Sequence, residues 1–239
     1  MHECAESLNS QESSDINKGQ SRHLMSAPNK TQPTAPKALI ELPPPADEMT
    51  ISFAGPFSWT GADDAPCVYD AAEARKSGIY LWTVPQPSGH LVYYVGETGR
   101  TFAIRLRDHY EELVAARYHV YSAAKFARGE KVCLWPGRYD TIERKSDKEC
   151  QANSMSLSGH IRGMALVIRF FLAPLSRDIR LRRRVEAAIA QLLYVAPGMV
   201  GAFQDRGIHY SPRKDGEQPI ACNVISRVPL LGVPGRFSA

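Results

Sequence analysis

The 239-residue sequence predicts an α/β fold: a small, mostly antiparallel three-stranded sheet flanked by helices, preceded by a disordered N-terminal tail. Three observations predict it. Two β-branched and aromatic runs flank a short stretch of turn residues; a helical stripe follows them; and a third apolar run leads into a second helical stripe.

Residues 1–45 are rich in Ser, Asn, Gln, Thr and Pro, hold one apolar cluster at 38–40, and end in Pro43-Pro44-Pro45, which lacks backbone donors and favours an extended exit. This is the expected disordered tail. Residues 46–77 read as an N-terminal elaboration. The runs 79–84 and 91–95 read as a hairpin across the turn residues 85–90. Phe102, Leu106, Tyr110 and Leu113 recur at helical spacing and predict a helix over about 101–117. A mixed region follows, with a short helix near 122–128 and a Ser/Lys/Glu-rich exposed loop over 143–158. Residues 118–160 as a whole read as an insertion. Residues 164–172 have the length and composition of a buried strand. Pro174 and Ser176 stop it and start a helix to about 195, whose stripe is Leu181, Val185, Ala188, Ile189 and Leu192. The rest is irregular, with a short extended segment at 220–225 and a C-terminal tail over 226–239. The domain proper is thus expected over 78–225.

Composition removes several classes. The best apolar run is interrupted by Arg169, so a membrane-spanning helix is not expected. The first residues lack the basic and apolar blocks of a secretory signal. Five cysteines at 4, 67, 133, 150 and 222 form no CxxC pair and fit neither a disulfide framework nor a thiolate zinc site; a reducing cytoplasm is the simplest home. The net charge is +4, and the first 45 residues hold four Lys/Arg against five Asp/Glu, so the basic excess belongs to the remaining chain. Arg100, Arg105 and Arg107 surround the start of the first helix. Arg177, Arg180, Arg182, Arg183 and Arg184 crowd the last, against one Asp178. Such runs are ordinarily solvated faces, but arginine beside a phosphate site also suits nucleic-acid backbone. Arg100, Arg107, Arg182 and Arg183 are therefore the candidate nucleic-acid contacts. Trp59, Trp82 and Trp135 read as packing.

Gly78-Ile79-Tyr80, followed after the hairpin turn by Tyr94-Val95-Gly96, forms a paired motif. Arg105 lies in the next helix with His109 one turn on, Glu186 lies in the helix after the third strand, and Asn223 follows in the C-terminal segment. Two tripeptides with these residues in order resemble the GIY-YIG nuclease superfamily, with Val95 for the usual Ile and a somewhat long linker between the motifs. The resemblance spans roughly 78–225 and is close at 78–110 and around Glu186. It implies hydrolysis of DNA phosphodiester bonds with one divalent metal ion, Mg²⁺ or Mn²⁺. By position, it makes Tyr80 the residue that activates or positions water and puts Tyr94 on the phosphate or water network. Arg105 would stabilise phosphate charge, Glu186 would hold the metal, and Asn223 would brace the site.

The residue chemistry is compatible with that implication. Guanidinium is a permanent planar donor matched to phosphate, and Mg²⁺ takes one carboxylate and keeps its waters. A tyrosine base needs nearby positive charge or help from His109, which shares a helical face with Arg105. Tyr80 and Tyr94 share a sheet face only if paired residue numbers sum to an even value, as with Tyr80 opposite Tyr94. Each residue also has an ordinary reading. Strand tyrosines pack. Arg105 can pair with Asp108 or Glu112, Glu186 with Arg182 or Arg183. His109 can be structural, and Asn223 can be a turn residue. Glu97, next to the second motif, puts negative charge near the expected phosphate. The function expected is a metal-dependent DNA endonuclease. The rivals are a nucleic-acid-binding module that keeps the fold without cutting, and an interaction domain with fortuitous motifs. Cutting both strands with one site would favour a dimer or sequential nicks.

Overall fold

The computed structural model describes residues 47–62, 64–140, 142–175, 177–205 and 208–239. The predicted tail 1–45 and the expected helix-starting Ser176 lie outside them.

Strand β1 (Asp47–Phe57) is followed by two short 3-10 turns and by the hairpin β2 (Gly78–Gln86) and β3 (Gly89–Thr98). Helix α1 (Phe102–Val114) comes next, then β4 (Val120–Tyr121), α2 (Ala123–Phe126), β5 (Cys133–Trp135), α3 (Asp147–Ser154) and α4 (Ser158–Val167). The chain ends with β6 (Arg169–Pro174), α5 (Ile179–Val195), α6 (Gly198–Ala202), β7 (Ile220–Ser226), β8 (Leu230–Leu231) and β9 (Arg236–Ser238).

The three-stranded sheet is corrected: the sheet is seven-stranded, mixed and strongly curled, in the order β8-β3-β2-β6-β1-β7-β9, beside a two-stranded β4-β5 ribbon. The three expected strands are contiguous and antiparallel within it. The additions come from the flanks. β1, from the region read as an elaboration, pairs antiparallel with β6 and parallel with β7, while β8 and β9 come from the region read as a C-terminal tail. β1 begins with two acids and contains Gly55-Pro56, which hides a strand whose Ile51 and Phe53 alternate into the core.

Two helix boundaries differ as well. The stretch expected as an exposed loop contains α3, held by a capping box in which Ser146 accepts from the Glu149 amide and Glu149 accepts from the Ser146 amide. The apolar run at 164–172 is divided. Ile161 and Met164 are the buried face of α4, and only from Arg169 does the chain extend as β6. An apolar run of this length does not by itself separate buried helix from buried strand.

The sheet is covered on both faces. On one, Phe102, Leu106 and Leu113 of α1, Phe126 of α2, and Ile161 and Met164 of α4 pack on Tyr80, Trp82, Tyr93 and Phe170. On the other, Val185, Ile189, Ala190 and Leu193 of α5 pack on Ile79, Leu81, Val92, Val95 and Phe171. Thr101 caps α1 by accepting from the Ile104 amide, and Asp178 caps α5 by accepting from the Arg180 amide. Among the described residues no helix is long and apolar enough to cross a membrane.

Candidate active site

The hairpin zips to a two-residue turn at 87–88, with Gln86 opposite Gly89, so the residues read as a long linker mostly extend the two strands. Tyr80 pairs with Gly96 and Trp82 with Tyr94, an even register that puts Tyr80 and Tyr94 on one face, two residues along from the pairing used as an example. A bulge follows, because Thr83 pairs with Val92 and leaves Tyr93 as the extra residue. The bulge turns both Tyr93 and Tyr94 toward the α1 side, while Val92 and Val95 face α5.

β8 pairs only with His90 and Leu91, so the C-terminal half of β3 is an open sheet edge. There, Gly96 has no side chain to stop the Tyr80 ring lying across the strand: a Cβ at Gly96 would overlap the Tyr80 Cζ and hydroxyl and stand 2.9 Å from its Cε1. The glycine thus lets a tyrosine from the α1 face reach the edge where α5 arrives from the other face. Gly78, with φ +154°, has a different reason, since a Cβ there would stand 2.6 Å from the Leu175 amide nitrogen.

At this edge lies a cavity of about 340 Å³ lined by Tyr80, Tyr94, Glu97, Arg105, Arg183, Glu186 and the 209–211 segment. The Tyr80 hydroxyl accepts from Arg105 Nε at 3.2 Å and lies 2.8 Å from His109 Nε2. Glu186 Oε1 accepts from the Glu97 amide at 2.9 Å. Tyr80, Tyr94, Arg105 and Glu186 therefore meet in one cavity, and His109 stands directly behind Tyr80. Asn223 does not join them. It lies on β7, opposite Thr50, and donates to Glu48 Oε1 at 2.7 Å, so on this geometry it braces the β1–β7 end of the sheet.

The ordinary pairings do not occur. Asp108 pairs with Arg100 and Glu112 with Arg117, which leaves Arg105 to Tyr80. Arg182 donates to Glu97 Oε2 at 3.0 Å and Arg183 Nε lies 3.8 Å from Glu97 Oε1, so these arginines meet Glu97 instead of Glu186. The negative charge beside the second motif is thereby matched by two cations. Arg182 is only 3% exposed, so it is a buried structural ion pair and not a surface contact for nucleic acid. Arg183 is exposed and lines the cavity. Arg107 is exposed, and Arg100 is exposed beside Asp108. Arg180 and Arg184 are committed to Glu217 and to the carbonyls of Gln218 and Ala239.

Burial shapes the electrostatics. It pushes the Glu186 carboxyl up to about 7; the charge of Glu97 adds to this, while the Glu97 amide, Arg183 and Arg105 oppose it. Burial raises the Tyr80 hydroxyl well above the ordinary tyrosine range, Tyr94 adding and Arg105 opposing. Burial, reinforced by the charges of Arg105 and Arg100, pushes His109 down to about 3, so the ring is neutral. Among the described residues no three His, Cys, Asp or Glu side chains cluster as a metal-binding group. The donors present still suit a hard, hydrated cation. Glu186 is a partly desolvated carboxylate with no ion-pair partner within 4 Å among the described residues, in an oxygen-rich cavity, and Mg²⁺ requires no more protein than that.

A larger cavity of about 880 Å³ adjoins this one through the shared Tyr94 and Arg105, with Trp82, Tyr93, Tyr118, Tyr121 and Tyr139 among its walls. Sequence reasoning missed Tyr118, which reaches His109, and the His209-Tyr210-Ser211 segment. Neither carries a periodic pattern, although three consecutive polar side chains in an irregular stretch were a signal available to read.

The fold and site together define an α/β protein with a polar, arginine-flanked cavity at a sheet edge. No family model, no curated protein and no solved structure matches the chain.

Proposed function

We propose that the sheet-edge cavity hydrolyses phosphodiester bonds in DNA with one divalent cation, Mg²⁺ or Mn²⁺, in the manner of the GIY-YIG nucleases. The convergence of Tyr80, Tyr94, Arg105 and Glu186 on one 340 Å³ cavity carries this reading. Packing alone gives no reason for an arginine to bond a fully buried tyrosine hydroxyl beside a half-buried carboxylate that is held by a backbone amide.

Arg105 supplies fixed positive charge where the phosphate gains negative charge, and Arg183 at the rim holds the DNA backbone. Tyr94 orders the phosphate and water network. A phenol raised as far as Tyr80 is a poor free base, so Tyr80 acts by accepting a water proton while handing its own to neutral His109. Glu186 would hold the cation, which when bound stabilises charge on the phosphate and leaving oxygens. The free Cys67, Cys133, Cys150 and Cys222 fit a reducing compartment such as the cytoplasm.

Supercoiled plasmid with Mg²⁺ or Mn²⁺ tests the reading. The wild-type chain is expected to nick it, and Tyr80→Phe to nick it about a hundredfold more slowly at least. Strongly salt-dependent DNA binding with no nicking in either protein would favour the non-cleaving binding module.

Two neighbouring arginines of α5 are expected to differ in kind. Arg182→Ala removes the buried, closer cation from a half-buried carboxylate and is expected to lower unfolding free energy by about 2 kcal/mol or more. Arg183→Ala is expected to change stability by no more than about 0.5 kcal/mol while reducing the salt slope of DNA affinity by about one. Denaturant titration and binding at several salt concentrations check the pair.

A further inference from the structure

Behind the sheet-edge cavity runs a hydrogen-bonded chain. The Tyr80 hydroxyl lies 2.8 Å from His109 Nε2, and His109 Nδ1 lies 2.6 Å from the Tyr118 hydroxyl. The outer end, Tyr118, lines the 880 Å³ cavity and not the smaller one. The His109 ring is 3% exposed and enclosed by Tyr80, Trp82, Tyr94 and Tyr118, with Arg105 and Arg100 as the cations that bear on it.

One polarity lets this chain carry a proton outward from Tyr80. Arg105 can only donate, so it takes an acceptor position on the Tyr80 oxygen, and in this polarity the phenolic proton points to His109 Nε2 at 2.8 Å. A neutral imidazole that accepts at Nε2 carries its one proton on Nδ1 and donates it to the Tyr118 oxygen.

We propose that Tyr118 is a positioning residue for the hydrolytic site: its hydroxyl holds His109 in the Nδ1–H tautomer, keeps Nε2 open to the Tyr80 proton, and passes a proton into the larger cavity. This rests on the hydrolytic reading of the smaller cavity. In the relay, a water O–H bond breaks as its oxygen attacks phosphorus, and that proton goes to the Tyr80 oxygen. The Tyr80 proton goes to Nε2, the Nδ1 proton goes to the Tyr118 oxygen, and the original Tyr118 proton leaves to solvent. The phosphorus–oxygen bond to the leaving nucleotide breaks, and its oxygen takes a proton from solvent. The chain resets when the protons shift back one place each, Nε2 to Tyr80 and Tyr118 to Nδ1, with net exchange to solvent. Each side chain ends neutral, and the water proton has in effect been moved from the smaller cavity to the larger one. Without the Tyr118 hydroxyl, a buried Nδ1–H would have no acceptor. The ring would then favour Nε2–H, which points a second donor at Tyr80 and blocks transfer.

The test is Tyr118→Phe in the full chain, read in two ways. Plasmid nicking should fall in kcat by about a hundredfold with KM for DNA unchanged, and the pH profile of kcat should lose its plateau. Nitrogen-15 NMR of histidine-labelled protein should show His109 as Nδ1–H in the wild type and as Nε2–H in the variant. An unchanged kcat in Tyr118→Phe, or an Nε2–H ring in the wild type, would overturn the proposal. If the wild type does not nick DNA, the hydrolytic reading fails and the relay with it, whereas the tautomers still decide whether Tyr118 positions His109. The wild-type spectrum needs no folded variant.

Discussion

Glu186→Gln is expected to lower plasmid nicking by about a thousandfold or more while making the protein more stable above about pH 7. The two effects have one cause. The wild-type carboxyl is held up to about 7 by burial against its ordinary 4.5. The folded state therefore keeps a proton that the unfolded chain releases near the ordinary value. Between those two values the folded state binds more protons, so stability falls as pH rises through the window, and the loss is complete above about 7. By the usual conversion of pKa shift to free energy this is roughly 3 kcal/mol at most, and less where water reaches the cavity. Glutamine mimics the protonated form and keeps an oxygen to accept from the Glu97 amide. Its melting temperature should exceed that of the wild type at alkaline pH and match it in mild acid. Mg²⁺ should narrow that alkaline gap by stabilising the wild type and not the variant, because a cation that binds only the folded carboxylate adds its binding energy to stability. A variant that nicks DNA at the wild-type rate would remove Glu186 from the reaction.

The central hairpin, α1 and α5 were legible because their signals are local. β-branched and aromatic runs bounded by turn residues, and the stripe through Phe102, Leu106 and Leu113, need no distant partner to be read. The sheet's width was not legible, since β1 joins β7 and β8 joins β3 across most of the domain, and β9 enters only by pairing with β7. Asp47, Glu48 and Gly55-Pro56 in β1 contradict local strand propensity, and β8 is two residues long. Tyr80, Tyr94, Arg105, His109 and Glu186 were legible as a set of residue types, and their convergence was not. It depends on the bulge at Tyr93, on the edge left open by short β8, and on α5 reaching that edge from the opposite face. Asn223 shows the converse. Its position in the order of residues matched the family pattern, but the parallel pairing of β7 with β1 takes it to the other side of the sheet.

Gly96→Ala is expected to be a strongly damaging one-carbon change, lowering unfolding free energy by about 3 kcal/mol and nicking with it. Most glycine-to-alanine changes in a strand are tolerated or even helpful, because alanine limits the unfolded chain. Here the added carbon would fall on the Tyr80 ring, which is fully buried and cannot step aside. Its tip is bonded by Arg105 and His109, its flank meets Tyr94 and Phe102, and its backbone is paired on both sides by β3 and β6. Something in that frame must move, and the movement misplaces the hydroxyl at the cavity. A double-mutant cycle separates this from a general intolerance of side chains at position 96. If the clash is with Tyr80, removing the ring by Tyr80→Ala relieves it. The double variant should then be much less destabilised than the sum of the two single changes, with a coupling energy of about 1–3 kcal/mol measured by denaturant titration. Additive losses would mean that Gly96 is required for the strand and not for the tyrosine that crosses it.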